Sequence, residues 1–347
     1  MKGTRGRFGN IKRFWKTVCL FCLLALVCAG CGGSEKAEGL PSVRIGVSLY
    51  RGDDTFINNI RGELEKRAKA YEQETGVKVH LDIQDAKGSQ NTQNNQVERF
   101  ISLGCDVVCI NMVDRTNVSI IIDKAMAAGV PVVFFNRQPV EEDMNRWDQL
   151  YYIGVDPKES AVLQGSIVAD LYEENPEQVD RNGDGVVSYV LLEGESSHQD
   201  SVIRTEWSVQ TLKDSGVPVE KLTGGIANWE RSQASALMEQ WLKEYPGRIE
   251  LVISNNDDMA LGAIDAIERA GVSGISLVGI DGTVPGNEAV EQGTLLGTVA
   301  SDKEEYAGVM MDIAIARARG EELPEDLVLE EGKYYWVSQE IVMKKEK

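Results

Sequence analysis

The sequence predicts an α/β protein of two Rossmann-like, doubly wound parallel-sheet lobes joined by a hinge of several strands. Three observations carry this. Apolar, β-rich runs of four to eight residues recur along the chain, each followed by a helical stretch, which is the pattern of a parallel sheet covered on both faces. The alternation pauses at the polar, breaker-rich segment 137–150, RQPVEEDMNRWDQL, and then restarts. A long helix near the C-terminus is followed by another strand-like run, so the chain crosses between lobes more than once. A length of 347 residues accommodates two such lobes.

In order, VRIGVSLY (43–50) reads as the first strand and Asp54 to about Glu74 as its helix. VKVHLDI, CDVVCINM and VPVVFFN follow as strands, with NTQNNQVERFISLG and TNVSIIIDKAMAAG as the helices between them. The second half runs YYIGV, a helix over 157–174, a strand over 186–192, helices over 201–214 and 230–244, IELVIS, a helix over 257–270 and ISLVGID. The helix 302–320 and the run YYWVSQEIVM close the chain. The expected first lobe is 42–135 with 302–336, and the second is 136–301 with 337–347. Ligands of open α/β sheets sit beyond the strand C-termini. Several strands here end in amides or acids: Asn111, Asn136, Asn255, Asn256 and Asp281.

Residues 1–30 belong to neither lobe. They carry Lys2, Arg5, Arg7, Lys12, Arg13 and Lys16, no acid, and then the apolar TVCLFCLLALVCAG. A basic head, a short apolar run and small residues describe a secretory signal. VCAGCGGSE resembles a bacterial lipobox, which implies cleavage before Cys31, lipidation of its new N-terminus and a membrane anchor. Residues 31–41 then read as a flexible tether. Without the signal the chain has 30 bases against 55 acids, a net charge of −25. Such a chain is repelled by nucleic acid phosphates, and the export signal points to an extracytoplasmic place of work, in the periplasm or on the outer face of the cytoplasmic membrane. Cys105 and Cys109 fall on one face of a strand, about 13 Å apart, too far for a disulfide; they read as buried thiols.

The segment DRNGDGVVSYVL (180–191) looks like the first half of a calcium loop. Asp180, Asn182 and Asp184 alternate, Gly185 supplies the turn, and Val186 offers a carbonyl. The bidentate Glu expected at position twelve is replaced by Leu191.

The chain resembles the bacterial periplasmic D-galactose/D-glucose-binding proteins, substrate-binding subunits of ABC sugar importers with the type I periplasmic binding protein fold. The likeness runs from about Val43 to the tail. It rests on RIGVSLYRGDDTF, INMVD, VPVVFFN, YYIGVDPKESAVLQG, DRNGDG, VLLEGESSHQDSVIR, SNNDDMALGA, VGIDG and GTVASD. The resemblance implies that Glu250 supplies the missing metal ligand from a separate strand, so that Ca²⁺ would be a structural cofactor. Ser188, at position nine, is shorter than the family's Gln.

The resemblance also implies a sugar site. Phe56 and Trp229 would sandwich a pyranose ring, and Trp229 lies in a polar turn rather than an apolar run. Asp54, Asn111, His198, Asp200, Arg204, Asn256 and Asp281 would hydrogen-bond its hydroxyls, which both donate and accept. Arg204 would pair with a neighbouring acid and present its fork to the rim. Asp54 is also a natural helix cap. Ser301 stands where the family has Asn, which bears on sugar preference. The expected function is capture of galactose or glucose by a monomeric lipoprotein that hands it to an ABC permease, with a chemoreceptor or sensor kinase as a further partner. A pentose or a galactoside is the alternative ligand. A glycosidase using Asp54 and Asp200 fits worse, because amides surround them and they come from opposite lobes. A repressor of the lactose type would need a DNA-binding helix-turn-helix, where this chain has an export signal.

Overall fold

The computed structural model describes residues 42–344. The signal, Cys31 and the tether lie outside the described residues.

The strands are β1 (Ser42–Leu49), β2 (Lys78–Asp85), β3 (Val107–Ile110), β4 (Val132–Phe135), β5 (Leu150–Gly154), β6 (Val187–Glu193), β7 (Val219–Ile226), β8 (Leu251–Ser254), β9 (Ser276–Val278), β10 (Gly297–Ser301), β11 (Tyr334–Trp336) and β12 (Gln339–Met343). The helices are α1 (Thr55–Thr75), α2 (Gln90–Ser102), α3 (Ser119–Ala128), the single turn α4 (Glu141–Met144), α5 (Pro157–Glu174), α6 (Gln199–Asp214), α7 (Arg231–Glu244), α8 (Asp257–Ala270), α9 (Val284–Gln292) and α10 (Lys303–Arg319). One sheet has the order β2-β1-β3-β4-β5-β11 and is parallel throughout. The other has the order β7-β6-β8-β9-β10-β12 and is parallel except for β12, which runs antiparallel to β10. This is the doubly wound, two-lobed architecture that the alternation predicts.

The central strands of each sheet are buried on both faces: successive residues point to opposite sides, and both sets are covered. In the first lobe, Val43, Ile45 and Val47 pack with Ile57, Ile60 and Leu64 of α1 and Met310 of α10. Val108 and Ile110 pack on the other face with Phe100 of α2 and Ile121 of α3. In the second lobe Val190 and Leu192 face Met238 and Met259, while Leu191 and Ile253 face Val209 and Leu212. Gly46 shows how close the layers come: a Cβ there would lie 2.4 Å from the Phe100 ring. Cys105 and Cys109 are buried free thiols, and burial pushes Cys109 up to about 12.

Strand β5 corrects one boundary. Its residues pair with β4 and β11, so YYIGV belongs to the first sheet and the crossing falls after Gly154 rather than near Asn136. The chain passes between lobes three times, at Val155–Asp156, at Asp302 and at Val337–Ser338. These segments are laced together: Val337 N–H donates to Gly154 O at 2.8 Å, and Asp302 N–H to Ser338 O at 3.2 Å. The three connections thus lie side by side, joined by these hydrogen bonds.

Candidate functional site

The C-terminal strand ends of both sheets face one another across a narrow cavity of about 30 Å³. Its lining comes from both lobes: Tyr50, Asp54, Phe56, Ile57, Asn136 and Arg137 from the first, and His198, Asp200, Arg204, Trp229, Asn256 and Asp281 from the second. The lobes meet around it through Arg51–Glu230 (2.8 Å), Arg137–Glu195 (2.8 Å) and Gln199 to Gln138 (2.9 Å).

Helix starts place three of the polar groups. Asp54 caps α1 by accepting the Ile57 N–H on Oδ1 (2.9 Å), and its Oδ2 accepts the Tyr50 hydroxyl at 2.5 Å. Asn256 caps α8 through Oδ1 (3.0 Å to Met259 N), which leaves its amide N–H groups for the cavity. His198 caps α6, with Nδ1 accepting the Asp200 N–H at 3.2 Å. Burial, followed by the cations Arg137, Arg204 and Arg115, pushes this imidazole well below the ordinary His range. The ring is therefore neutral, and since Nδ1 is the acceptor, Nε2 carries the proton as a donor.

Arg204 ties the second lobe's acids together. Its Nη1 donates to Asn255 O (3.0 Å) and lies 3.6 Å from Asp281, while Nη2 lies 3.4 Å from Asp200. Burial pushes Asp200 up to about 6 against the pull of Arg204, Arg137 and Arg115. Asp281 is raised well above the carboxylate range, first by burial and then by Asp257 and Asp54, with Arg204 and Lys303 opposing. Lys303 sits behind, its Nζ donating to the carbonyls of Asp281 (2.6 Å), Gly282 (3.1 Å) and Ser301 (3.3 Å). Several buried polar atoms of lining residues have no protein partner: Asp200 Oδ1, Arg204 Nε, Arg137 Nε and Trp229 Nε1. Such groups are costly unless something else satisfies them, and together they form a polyfunctional donor–acceptor belt.

Phe56 and Trp229 both line the cavity. Phe56 meets Tyr306 edge-on, with centroids 6.3 Å apart, and Trp229 meets His198 edge-on at 5.3 Å. Trp229 is 8% exposed and holds a positive φ of 64°, and Asn136 (63°) and Asp281 (121°) are also at positive φ. Strained backbone of this kind persists where the surroundings fix it and gathers at ligand sites.

Two expected rim residues lie elsewhere. Asn111 is outside the lining because its amide is used up: Oδ1 accepts from Tyr50 N–H (3.3 Å), and Nδ2 donates to Phe135 O (3.3 Å) and Asn136 Oδ1 (3.0 Å). It positions Asn136, which reaches the cavity in its place. Ser301 is buried outside the lining, with its hydroxyl unbonded. Tyr50 and Arg137 were not singled out from sequence, and Asn136 was named there only as one of the strand-end amides. The signal for Arg137 was its place directly after a strand end, two residues beyond Phe135.

In the 180–191 loop the acids hold the backbone. Asp180 accepts from Gly183 and Gly185 N–H, Asn182 from Asp184 N–H, and Asp184 from Val186 N–H, at 2.7–2.9 Å. Glu250 also reaches the loop, accepting from Asn182 N–H on Oε1 and Ser188 N–H on Oε2, each at 2.9 Å. Among the described residues no three His, Cys, Asp or Glu side chains are grouped as a metal site. The loop's own donors are all oxygens, counting the Asn182 amide and the backbone carbonyls, and this set suits a hard cation.

A periodic alternation of sheets and a cleft between them is shared by many α/β proteins, so relatives decide the family. Residues 45–322 match the family model described as periplasmic binding protein domain. The chain belongs to the periplasmic binding protein family. It is 34% identical over 84% of its length to the D-galactose/methyl-galactoside binding periplasmic protein of Haemophilus influenzae, covering 87% of that protein. It is 31% identical over 80% of its length to a putative rhizopine-binding protein of Rhizobium meliloti, covering 85% of it. A Bacillus halodurans ABC transporter solute binding protein with bound myo-inositol superimposes with a TM-score of 0.71 at 28% identity, covering 88% of this chain and 96% of that one. The fold is the type I periplasmic binding protein fold. Membership makes this a solute-binding protein, not an enzyme, and places it outside the cytoplasm. The cleft agrees: Asp54 has both oxygens engaged, which ill suits a general acid or base.

Proposed function

We propose that this protein captures D-galactose or D-glucose between its lobes and delivers the sugar to an ABC importer. That it is a sugar-binding protein of ABC transport follows from its family; the choice of hexose is our reading. One observation carries it: Phe56 and Trp229, from opposite lobes, line the same cavity as Asp54, His198, Asp200, Arg204, Asn256 and Asp281. Flat apolar faces suit the C–H surfaces of a pyranose, and the acids, amide, imidazole and guanidinium suit its hydroxyls. Hydrogen bonds to charged groups contribute ~1.5–3 kcal/mol each, so a misplaced hydroxyl costs enough to separate epimers. The name of the Haemophilus influenzae relative supports galactose.

Closure follows from the same geometry. A ligand that touches both lobes favours the state in which they meet. We further propose that Cys31 is lipidated, anchoring the protein beside its permease, and that Asp180, Asn182, Asp184, the Val186 carbonyl, Ser188 and Glu250 hold a structural Ca²⁺. Bound calcium would supply positive charge to a loop rich in acids and stiffen the edge of β6. A chemoreceptor or sensor kinase as a second partner is compatible with the same closed form.

The test is calorimetric titration of purified protein with galactose, glucose, a methyl galactoside, xylose, ribose and myo-inositol. Galactose or glucose should bind tightest, and Trp229→Ala should lose at least ~10-fold, since a stacked aromatic contributes ~0.5–1.5 kcal/mol beyond its buried area. Tighter binding of a pentose or of inositol would overturn the hexose reading, and an unchanged affinity in Trp229→Ala would overturn the sandwich.

A further inference from the structure

Lys303 is a half-buried cation that the sugar reading leaves without a task. It opens α10 directly after the crossing at Asp302, and α10 belongs to the first lobe, where Tyr306 and Met310 join the core. Its ammonium nonetheless reaches into the second lobe. Nζ donates to Asp281 O at 2.6 Å, Gly282 O at 3.1 Å and Ser301 O at 3.3 Å. An ammonium has three N–H donors, and these carbonyls take all of them. The carbonyls sit on adjoining strand ends: Asp281 pairs with Ala300, and its N–H donates to Val299 O at 2.8 Å. Asp281 and Gly282 both hold positive φ, 121° and 60°. A Cβ on Gly282 would lie 2.3 Å from the Ala300 Cβ, so this turn admits no side chain there.

We propose that Lys303 is a positioning residue for ligand capture: it clamps the Asp281–Gly282 turn from the first lobe and so holds the Asp281 carboxylate in the cavity wall. This rests on the sugar reading above, in which Asp281 is a rim acid. Lys303 does not touch the ligand itself, since it is outside the cavity lining and its N–H groups are engaged. A residue at φ 121° keeps that conformation only where its surroundings fix it. Converging carbonyl oxygens repel one another, and a cation placed between them turns that repulsion into a clamp. Arg204, the other cation beside Asp281, donates to Asn255 O and leaves this turn to Lys303. Lysine suits the task because its compact head can meet three converging acceptors, which a planar guanidinium cannot. The same ammonium lies 5.7 Å from the Phe56 ring centroid, within the ~6 Å reach of a cation–π contact. One side chain thus backs a rim acid of the second lobe and an aromatic platform of the first.

The experiment is titration of wild type, Lys303→Met, Lys303→Gln, Asp281→Asn and the Lys303→Met/Asp281→Asn double variant with galactose, glucose and the singly deoxygenated forms of the preferred hexose. Lys303→Met should weaken binding at least ~10-fold. Acting through Asp281, it should add less than ~3-fold once Asp281 is already Asn. Lys303→Met and Asp281→Asn should also lose discrimination at the same hydroxyl, which a general loss of stability would not produce. Wild-type affinity in folded Lys303→Met would overturn the proposal, as would losses that multiply in the double variant or that fall evenly on every deoxy sugar. Should Lys303→Met not fold, Lys303→Gln, which keeps two donors without the charge, decides by the same criteria. A wild type that binds no monosaccharide sinks the reading of the cleft and this proposal with it, whereas sugar binding that ignores Lys303 sinks this proposal alone.

Discussion

Gly194 does not line the cavity, yet its substitution should abolish much of the binding. It follows β6, and a Cβ placed on it would lie 2.2 Å from Cζ2 and Cη2 of Trp229. Ordinary contact begins at 3.4 Å, so Gly194→Ala demands a retreat of 3.4 − 2.2 = 1.2 Å by the indole or the strand. Gly194 does not have a positive φ, so the substitution acts through this contact and not through backbone strain. The strand end is fixed: Gly194 N–H donates to Asn255 Oδ1 at 3.1 Å, and β6 is flanked by β7 and β8. The indole is the softer partner, and the open space beside it is the cavity. Overpacking of this size costs about 1–3 kcal/mol in stability. Moving the ring by more than 1 Å loses an aromatic stack of about 0.5–1.5 kcal/mol and narrows a small cavity. Affinity for the preferred sugar should fall at least ~10-fold, with a shifted tryptophan emission and a modest fall in melting temperature. Calorimetry, fluorescence and thermal melts on one preparation read all three. Wild-type affinity in folded Gly194→Ala would refute the placement of Trp229 as a ligand platform.

Other consequences can be checked alongside. Asp200 is raised to about 6, so between its unfolded value near 4 and pH 6 the ligand-free native state holds the extra proton, and this group makes stability fall as pH rises through that window. A sugar hydroxyl that donates to Asp200 prefers the carboxylate, so binding should release protons near pH 5.5 and weaken below about pH 6; calorimetry in buffers of different ionisation enthalpy should show release, and uptake would contradict the assignment. Glu250→Gln puts an amide NH₂ against a backbone N–H, costing ~1–3 kcal/mol even with chelator present; calcium binding would add a further loss seen only without chelator, and equal losses in both conditions would exclude the metal. Tyr306 OH accepts from Asn136 N–H and donates to Ile153 O, both at 2.8 Å. Tyr306→Phe should lower stability by ~1–3 kcal/mol and also weaken sugar binding, because Asn136 lines the cavity at positive φ; a thermal melt paired with titration separates the two effects.

What the sequence revealed and concealed follows from how local each determinant is. Strand and helix alternation is local, since a run such as VPVVFFN must be buried on both faces wherever it lies, and its centre, VVFF, forms β4. Asp54, His198 and Asn256 were legible for a related reason: each opens a helix just after a strand end, so one residue both caps the helix and faces the cleft. Strand partnership is not local. YYIGV follows a breaker-rich segment and reads as a new lobe, but its neighbours in the sheet are β4 and a strand from the far end of the chain. The exchange of Asn111 for Asn136 turns on a finer point. Both amides end adjacent parallel strands and are equivalent in sequence. The backbone separates them, because Asn136 adopts φ 63°, a conformation Asn tolerates better than most residues, and reaches the cavity. Asn111 stays behind it, bonded to the Asn136 side chain and to Tyr50 N–H. Arg137 was hidden by the same logic on a larger scale: an arginine after a strand reads as a surface charge until a glutamate from the other lobe closes over it. Arg137 thus differs from Asn136: its ion-pair partner comes from the other lobe, whereas Asn136 is placed by bonds within the first lobe.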